Sequence, residues 1–130
     1  MGEKMKKATK ESLIARAQAK KANEIKYIEY DCKAIGETLM IKKLPITRIA
    51  DIMDMTEEDS HRANMELNAE LIYASVPLFH DKELQEAYDC KEPTEIVMKV
   101  LDDDLGEMNR ICNRILDMYG LADTVEDIKN

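Results

Sequence analysis

The most heavily patterned stretch of the chain lies between Glu57 and Tyr88, and its apolar positions form two stripes instead of one. At about 100° per residue, Met65, Ala69, Ile72 and Val76 fall on one side of a helix, with Leu67, Leu71, Ala74 and Leu78 nearly opposite. A helix on the surface of a small domain needs only one apolar side. A two-sided helix either runs through the core or keeps one side for a partner. The segment TEED at Thr56–Asp59 is close to a capping box and puts acids in a first helical turn, so the helix is expected from about Glu57. Pro77 drives Val76 out of helical conformation and ends it. Leu78 and Phe79 then make an apolar corner, and Asp81 is placed to cap a short helix over KELQEAY whose Leu84, Ala87 and Tyr88 face inward.

Upstream the period is different. Ile25 and Tyr27 alternate, then Ile28, Tyr30 and Cys32 alternate on the other phase, as in a strand with a bulge. The turn-like KAIG ends at Gly36, and ETLMIKKL reads as a second strand, so 24–43 is expected to be an antiparallel hairpin closed by Pro45. A lone hairpin is barely stable in water, so its apolar side must pack on helices or pair with another chain. Ile46, Ile49, Ala50 and Met53 then follow helical spacing.

Downstream, Pro93 opens a helix carrying Ile96, Val97, Val100 and Leu101. Asp102 or Asp103 is placed to cap the last helix, in which Leu105, Met108, Ile111, Cys112, Ile115, Met118 and Tyr119 share a face. Gly120 is its left-handed terminator, with Leu121 set for the accompanying hydrophobic contact. Before the hairpin, TKESLIARAQAKKAN from Thr9 is rich in helix formers, with Thr9 and Ser12 as candidate caps and only Leu13, Ile14 and Ala17 as an apolar face. The first seven residues are expected to fray, and residues 122–130 to form a loose acidic tail.

The elements add up to an α+β fold, predominantly α: an N-terminal β-hairpin packed on a bundle of about five short helices. Three parts are expected along the chain: a basic arm and helix over 1–23, one globular domain over 24–121 with helices in 46–121, and the tail at 122–130. A chain of 130 residues has room for one ordinary core.

Composition sharpens the function classes. The chain has a net charge of −8, yet residues 1–50 carry 12 Lys and Arg against 6 Asp and Glu, while residues 51–130 carry 7 against 21. An acidic body argues against nucleic-acid binding, because phosphate neutralisation supplies most of that affinity. The basic arm is free to touch something acidic, including the acidic half of a second copy, so a homo-oligomer is expected. The 9 Met with no Trp make the apolar surface flexible and aliphatic, suited either to filling a helical core or to re-packing against partners.

Three widely spaced cysteines, Cys32, Cys90 and Cys112, and no apolar run of membrane length fit a reduced, cytoplasmic protein that engages no membrane. His61 and His80 are far apart and no Cys pair has metal-ligand spacing, so neither a metal nor a cofactor is expected. A Cys–His hydrolase would need Cys90 or Cys112 beside one of those histidines, but Cys112 falls on a core face. The aspartates 102–104 lack the alternating ligands, central Gly and distal Glu of a calcium loop. No catalytic pattern stands out, and the chain reads as a non-enzymatic binding module. Its candidate partner-binding residues are Met53, Met55, Met65, Leu71, Val76, Leu78 and Phe79. For each of them, ordinary core packing is the competing reading.

Four blocks in order, TLMIKKLPITRI at Thr38–Ile49, ELIYASVPL at Glu70–Leu78, DKELQEAY followed by EP over Asp81–Pro93, and LDMYGL at Leu116–Leu121, resemble the tail assembly chaperones of long-tailed phages and prophages of Gram-positive bacteria. The resemblance implies a protein of the host cytoplasm that associates with the long, helical, apolar tape measure protein, keeps it soluble and helps recruit tail tube protein subunits. The basic helix at Thr9–Asn23 is where the chain departs from that pattern. Against this stand a structural virion or head-tail joining protein and a small acidic cytoplasmic adaptor.

Overall fold

Strand β1 (Tyr27–Cys32) pairs antiparallel with β2 (Glu37–Lys42) in the computed structural model, which describes residues 5–22, 26–55 and 57–121. The inward face alternates as the sequence pattern requires. Ile28 pairs with Ile41 and Tyr30 with Leu39, and Leu39, Ile41 and Cys32 are buried. The ladder is unbroken from the bond between the Lys43 N–H and the Lys26 carbonyl to the Cys32–Glu37 pair, so the expected bulge is not found there. Tyr27 faces solvent because Ile28, Tyr30 and Cys32 set the phase. Glu24 and Ile25 of the expected hairpin lie outside the described residues, as do the tail at 122–130 and the first four residues of the arm. Gly36 closes the loop at φ +67°, a left-handed conformation that other residues adopt at a cost.

Ahead of the hairpin, α1 (Lys10–Ala22) opens with the two expected residues. The Thr9 hydroxyl accepts from the Ser12 N–H and the Ser12 hydroxyl from the Thr9 N–H, each at 3.0 Å. Its described side chains, Lys10 to Lys21, are all exposed.

Helix α2 (Ile46–Met53) meets the core through Ile49 and Ile52, leaving Ile46 and Met53 in solvent. The buried seam is rotated from the 46, 49, 50, 53 pattern, because a helix of two turns rests on one residue per turn. Helix α3 (His61–Ser75) starts later than expected. Ser60 is its N-cap, accepting from the Ala63 N–H at 3.1 Å, and residues 57–59 are non-helical. Those acids are exposed, so extending the helix over them would add no apolar burial against the entropy of ordering them. Thr56, the other candidate start, is outside the described residues.

Pro77 ends α3 as anticipated. Val76 is extended at φ −111°, ψ 96°, and Pro77–His80 make one 3-10 turn that buries Phe79 and exposes Leu78. Asp81 caps α4 (Lys82–Ala87), accepting from the Leu84 N–H at 2.9 Å. Pro93 sits in the turn that leads into α5 (Glu95–Val100), its carbonyl accepting from the Ile96 N–H.

The three aspartates divide their work. Asp102 and Asp103 have φ of 53° and 58° and close α5, with their N–H groups on the Lys99 and Met98 carbonyls, in the manner usually left to glycine. Asp104, one residue later than expected, caps α6 (Leu105–Asp117) by accepting from the Glu107 N–H at 3.0 Å. At the far end Gly120 has φ +74°, and the Leu121 N–H reaches the Leu116 carbonyl at 3.0 Å, which closes the helix as the sequence indicates.

One cluster of buried side chains joins the hairpin, α2, α3, the 3-10 turn, α5 and α6. Helix α3 is its beam, packed by α2, α5, α6 and the turn. Ile72 and Val76 are covered on one side and Leu71 on the other, so both stripes are used within the chain over the second half of the helix. The fold is α+β and mostly α, a hairpin on the bundle α2–α6, as the sequence indicates.

Candidate partner-docking groove

The first half of α3 is covered less completely than the second. Met65 and Leu67 remain half-buried, and between them and α5 runs an open groove of about 810 Å³. Its floor is kept low by Ala63 and Ala69, both buried and too small to fill it. Met55, just beyond α2, Met65 and Met98 of α5 supply flexible walls, with Leu67 between. Glu66, Glu70, Glu92 and Glu95 line the groove against a single cation, Arg62.

The Glu95 carboxyl is held below its usual range, first of all by the Glu92 N–H that donates to it. Arg62 meets Glu66 at 3.3 Å with both side chains largely in solvent, a pairing that contributes little. Lys99, the basic residue of α5, donates instead to the carbonyls of Tyr88 and Asp89, each at 2.9 Å. An apolar floor under an acidic rim is complementary in chemistry to an amphipathic helix with basic flanks.

Of the seven residues proposed from sequence, Met55 and Met65 come together in this groove. Met53 and Leu78 are exposed but do not line it, and Leu71, Val76 and Phe79 are core residues. Sequence reasoning missed Met98. Its signal was an apolar residue off the face that Ile96, Val97 and Leu101 turn to the core. The two alanines were invisible, because a small residue advertises a hollow only once its neighbours are known.

A second constellation, also unforeseen, is structural. Glu107 is fully buried and takes the Tyr30 hydroxyl at 2.9 Å, the Cys32 thiol and the Ala34 N–H at 3.1 Å, and Arg110 Nε at 2.9 Å. Burial alone would raise its pKa. The donors, led by the Ala34 N–H, outweigh burial and hold the carboxyl at about 2. Burial and this carboxylate push Cys32 up to about 11, and burial pushes Cys112 up to about 12, so both are protonated, inert thiols at neutral pH. At the other end of the hairpin, the Tyr119 hydroxyl donates to the Leu44 carbonyl at 2.8 Å and accepts from the Leu44 N–H at 2.7 Å. The two clips fasten the hairpin to α6 at both ends.

Among the described residues, no group of three or more His, Cys, Asp or Glu side chains is placed to hold a metal ion. No helix among them is long and apolar enough to cross a membrane.

Hairpin, bundle and open groove define a small, mostly helical α+β domain. The chain belongs to the phage XkdN-like tail assembly chaperone protein family, whose sequence profile matches residues 6–130. Its fold is similar to that in the crystal structure of the protein yqbn, with a TM-score of 0.56 and 24% identity over 74% of this chain and 86% of that one. At that identity the likeness carries the fold alone. No curated protein matches the chain.

Proposed function

We propose that this tail assembly chaperone holds an exposed apolar helix of the tape measure protein in the groove between α3 and α5, keeps it soluble in the host cytoplasm and releases it as the tail tube protein assembles around it. The observation that carries the reading is the methionine-walled, glutamate-rimmed groove itself. A tape measure protein awaiting its tube presents apolar helix to water, which invites aggregation. Flexible Met side chains accept helices of differing sequence, and the acidic body keeps the complex dispersed. Residues 24–121 are the working domain in this reading, residues 1–23 are an arm, and no catalytic step is involved.

Co-expression with the tape measure protein of the same phage tests it. Gain in that protein's solubility and co-purification are expected, and both should be lost with Met65→Asp or Met98→Asp in a chain that still folds. Neither solubility gain nor co-purification with the unaltered chain would sink the reading. Mass spectrometry of finished particles separates the roles further, since a chaperone is absent from them and a head-tail joining protein remains.

A further inference from the structure

The basic helix α1 supplies no side chain to the core cluster. Every described side chain from Lys10 to Lys21 is exposed, with Leu13 at 55% and Ile14 at 47%. A helix of 13 residues whose described side chains are all exposed is marginal in water, so this one gains by finding a surface. Its pattern has a definite shape. Leu13, Ile14 and Ala17 form a short apolar stripe, and Arg16, Lys20 and Lys21 continue and flank it one turn on. From Met5 to Ala22 there are six Lys and Arg against Glu11 alone.

The groove is the complement of this helix: an apolar floor bordered by Glu66, Glu70, Glu92 and Glu95. We propose that α1 of a second copy of the chain occupies the groove, so that copies associate head to tail through it. The inference rests on the groove being a helix-docking surface, as argued above.

The described side chains of α1, Lys10 to Lys21, are exposed while the groove of the same chain stands open, so the helix does not fill its own groove and a second copy is the occupant the structure favours. Docking of this kind uses two different surfaces, so it is heterologous and extends from copy to copy unless it closes into a ring. It also shields the methionines of the free chaperone, and a tape measure helix must displace α1 to bind.

Charge swapping in the full-length chain tests the proposal by sedimentation velocity, with far-UV circular dichroism as the check on folding. The unaltered protein should show a mass that grows with concentration and falls as salt is raised. Arg16→Glu/Lys20→Glu/Lys21→Glu and Glu66→Lys/Glu92→Lys should each raise the self-association Kd at least about tenfold. Mixed together, the two variants should associate again, because the native helix of one meets the native groove of the other and the reversed pair also match. A concentration-independent monomer for the unaltered chain, including one whose groove is filled by its own α1, overturns the proposal. So does a mixture of folded variants that stays monomeric. Monomeric behaviour with intact tape measure co-purification defeats this inference alone, whereas self-association through the groove without co-purification defeats only the functional reading.

Discussion

Tyr30 and Glu107 are 77 residues apart in the chain, and the tyrosine hydroxyl donates to the buried carboxylate at 2.9 Å. The same carboxylate takes the Cys32 thiol and the Ala34 N–H, so three donors from the hairpin converge on one side chain of α6. Arg110 closes the set, but its own side chain is 56% exposed and its charge stays hydrated. The fixed donors therefore carry more of the anchoring than the ion pair, and the register of the hairpin against the bundle is tied to this one residue.

Glu107→Ala should cost about 3 kcal/mol of folding stability, because it empties a fully buried site and takes the acceptor from the half-buried Tyr30 hydroxyl, the buried Cys32 thiol and the Ala34 N–H. Glu107→Gln should cost less, about 1–2 kcal/mol, since the amide oxygen still accepts while its NH2 faces donors. Urea unfolding midpoints with unchanged slope measure both. A loss below about 0.5 kcal/mol for the alanine variant would show that the hairpin does not depend on this contact.

The same cluster sets a two-sided pH dependence. Glu107 is held at about 2 when folded, below the ordinary carboxylate value, so its contribution is complete above about pH 5 and is lost as pH falls toward 2. Burial and the neighbouring Glu107 push Tyr30 up to about 12 and Cys32 up to about 11. These raised values act in the opposite sense. Their contribution is full below the ordinary thiol value of 9.0 and is lost as pH climbs through 11 to 12. Stability plotted against pH should fall on both flanks, and the gap between the unaltered chain and Glu107→Gln should narrow on the acid side. A gap constant from pH 6 to 2 would contradict the depressed carboxyl.

Thiol chemistry should separate the cysteines. Cys32 and Cys112 are buried and their thiols held protonated, whereas Cys90 is only half-buried. With an aromatic disulfide reagent at neutral pH, one thiol per chain should react fast and map to Cys90 by peptide mass. The other two should react on the timescale of unfolding. Prompt labelling of Cys32 would mean that the Glu107 cluster opens readily.

Much of this was legible because it is local. Pro77, Asp81, Gly120 and the alternation of Ile28, Tyr30 and Cys32 act through their own backbone, and each did what its chemistry dictates. The misplacements arose where two local signals competed. Ser60 rather than Thr56 capped α3, and Asp104 rather than Asp102 or Asp103 capped α6, because only burial in the finished fold decides which cap leads into useful contacts. The two stripes of α3 were read correctly as apolar, but the sequence left open whether a partner or the chain itself covers them. The structure divides the answer along the helix: Leu71 and Ile72 are core, Met65 and Leu67 are groove. Glu107 was unreadable for another reason, since it stands among apolar residues of α6 without any mark of its three distant donors.

Leu78 and Phe79 give the sharpest separation of core from surface, being adjacent, apolar and both expected from sequence to face a partner. The 3-10 turn after Pro77 points them apart: Phe79 is 1% exposed and Leu78 is 60% exposed. Phe79→Ala should cost about 3–5 kcal/mol, the sum of lost burial and the cavity left at the junction of α3 with the hairpin. Gln85 donates to the Phe79 carbonyl at 2.8 Å and is unaffected by truncating the ring, so the loss reports packing and not the turn's hydrogen bonding. Leu78→Ala should stay within about 0.5 kcal/mol of the unaltered chain. It also leaves tape measure co-purification intact if the partner sits in the groove, because Leu78 does not line it. Thermal and urea unfolding of the two variants, run beside the co-purification, decide the point. Loss of the partner from a fully folded Leu78→Ala chain would move the docking surface from the α3–α5 groove to the corner at Pro77.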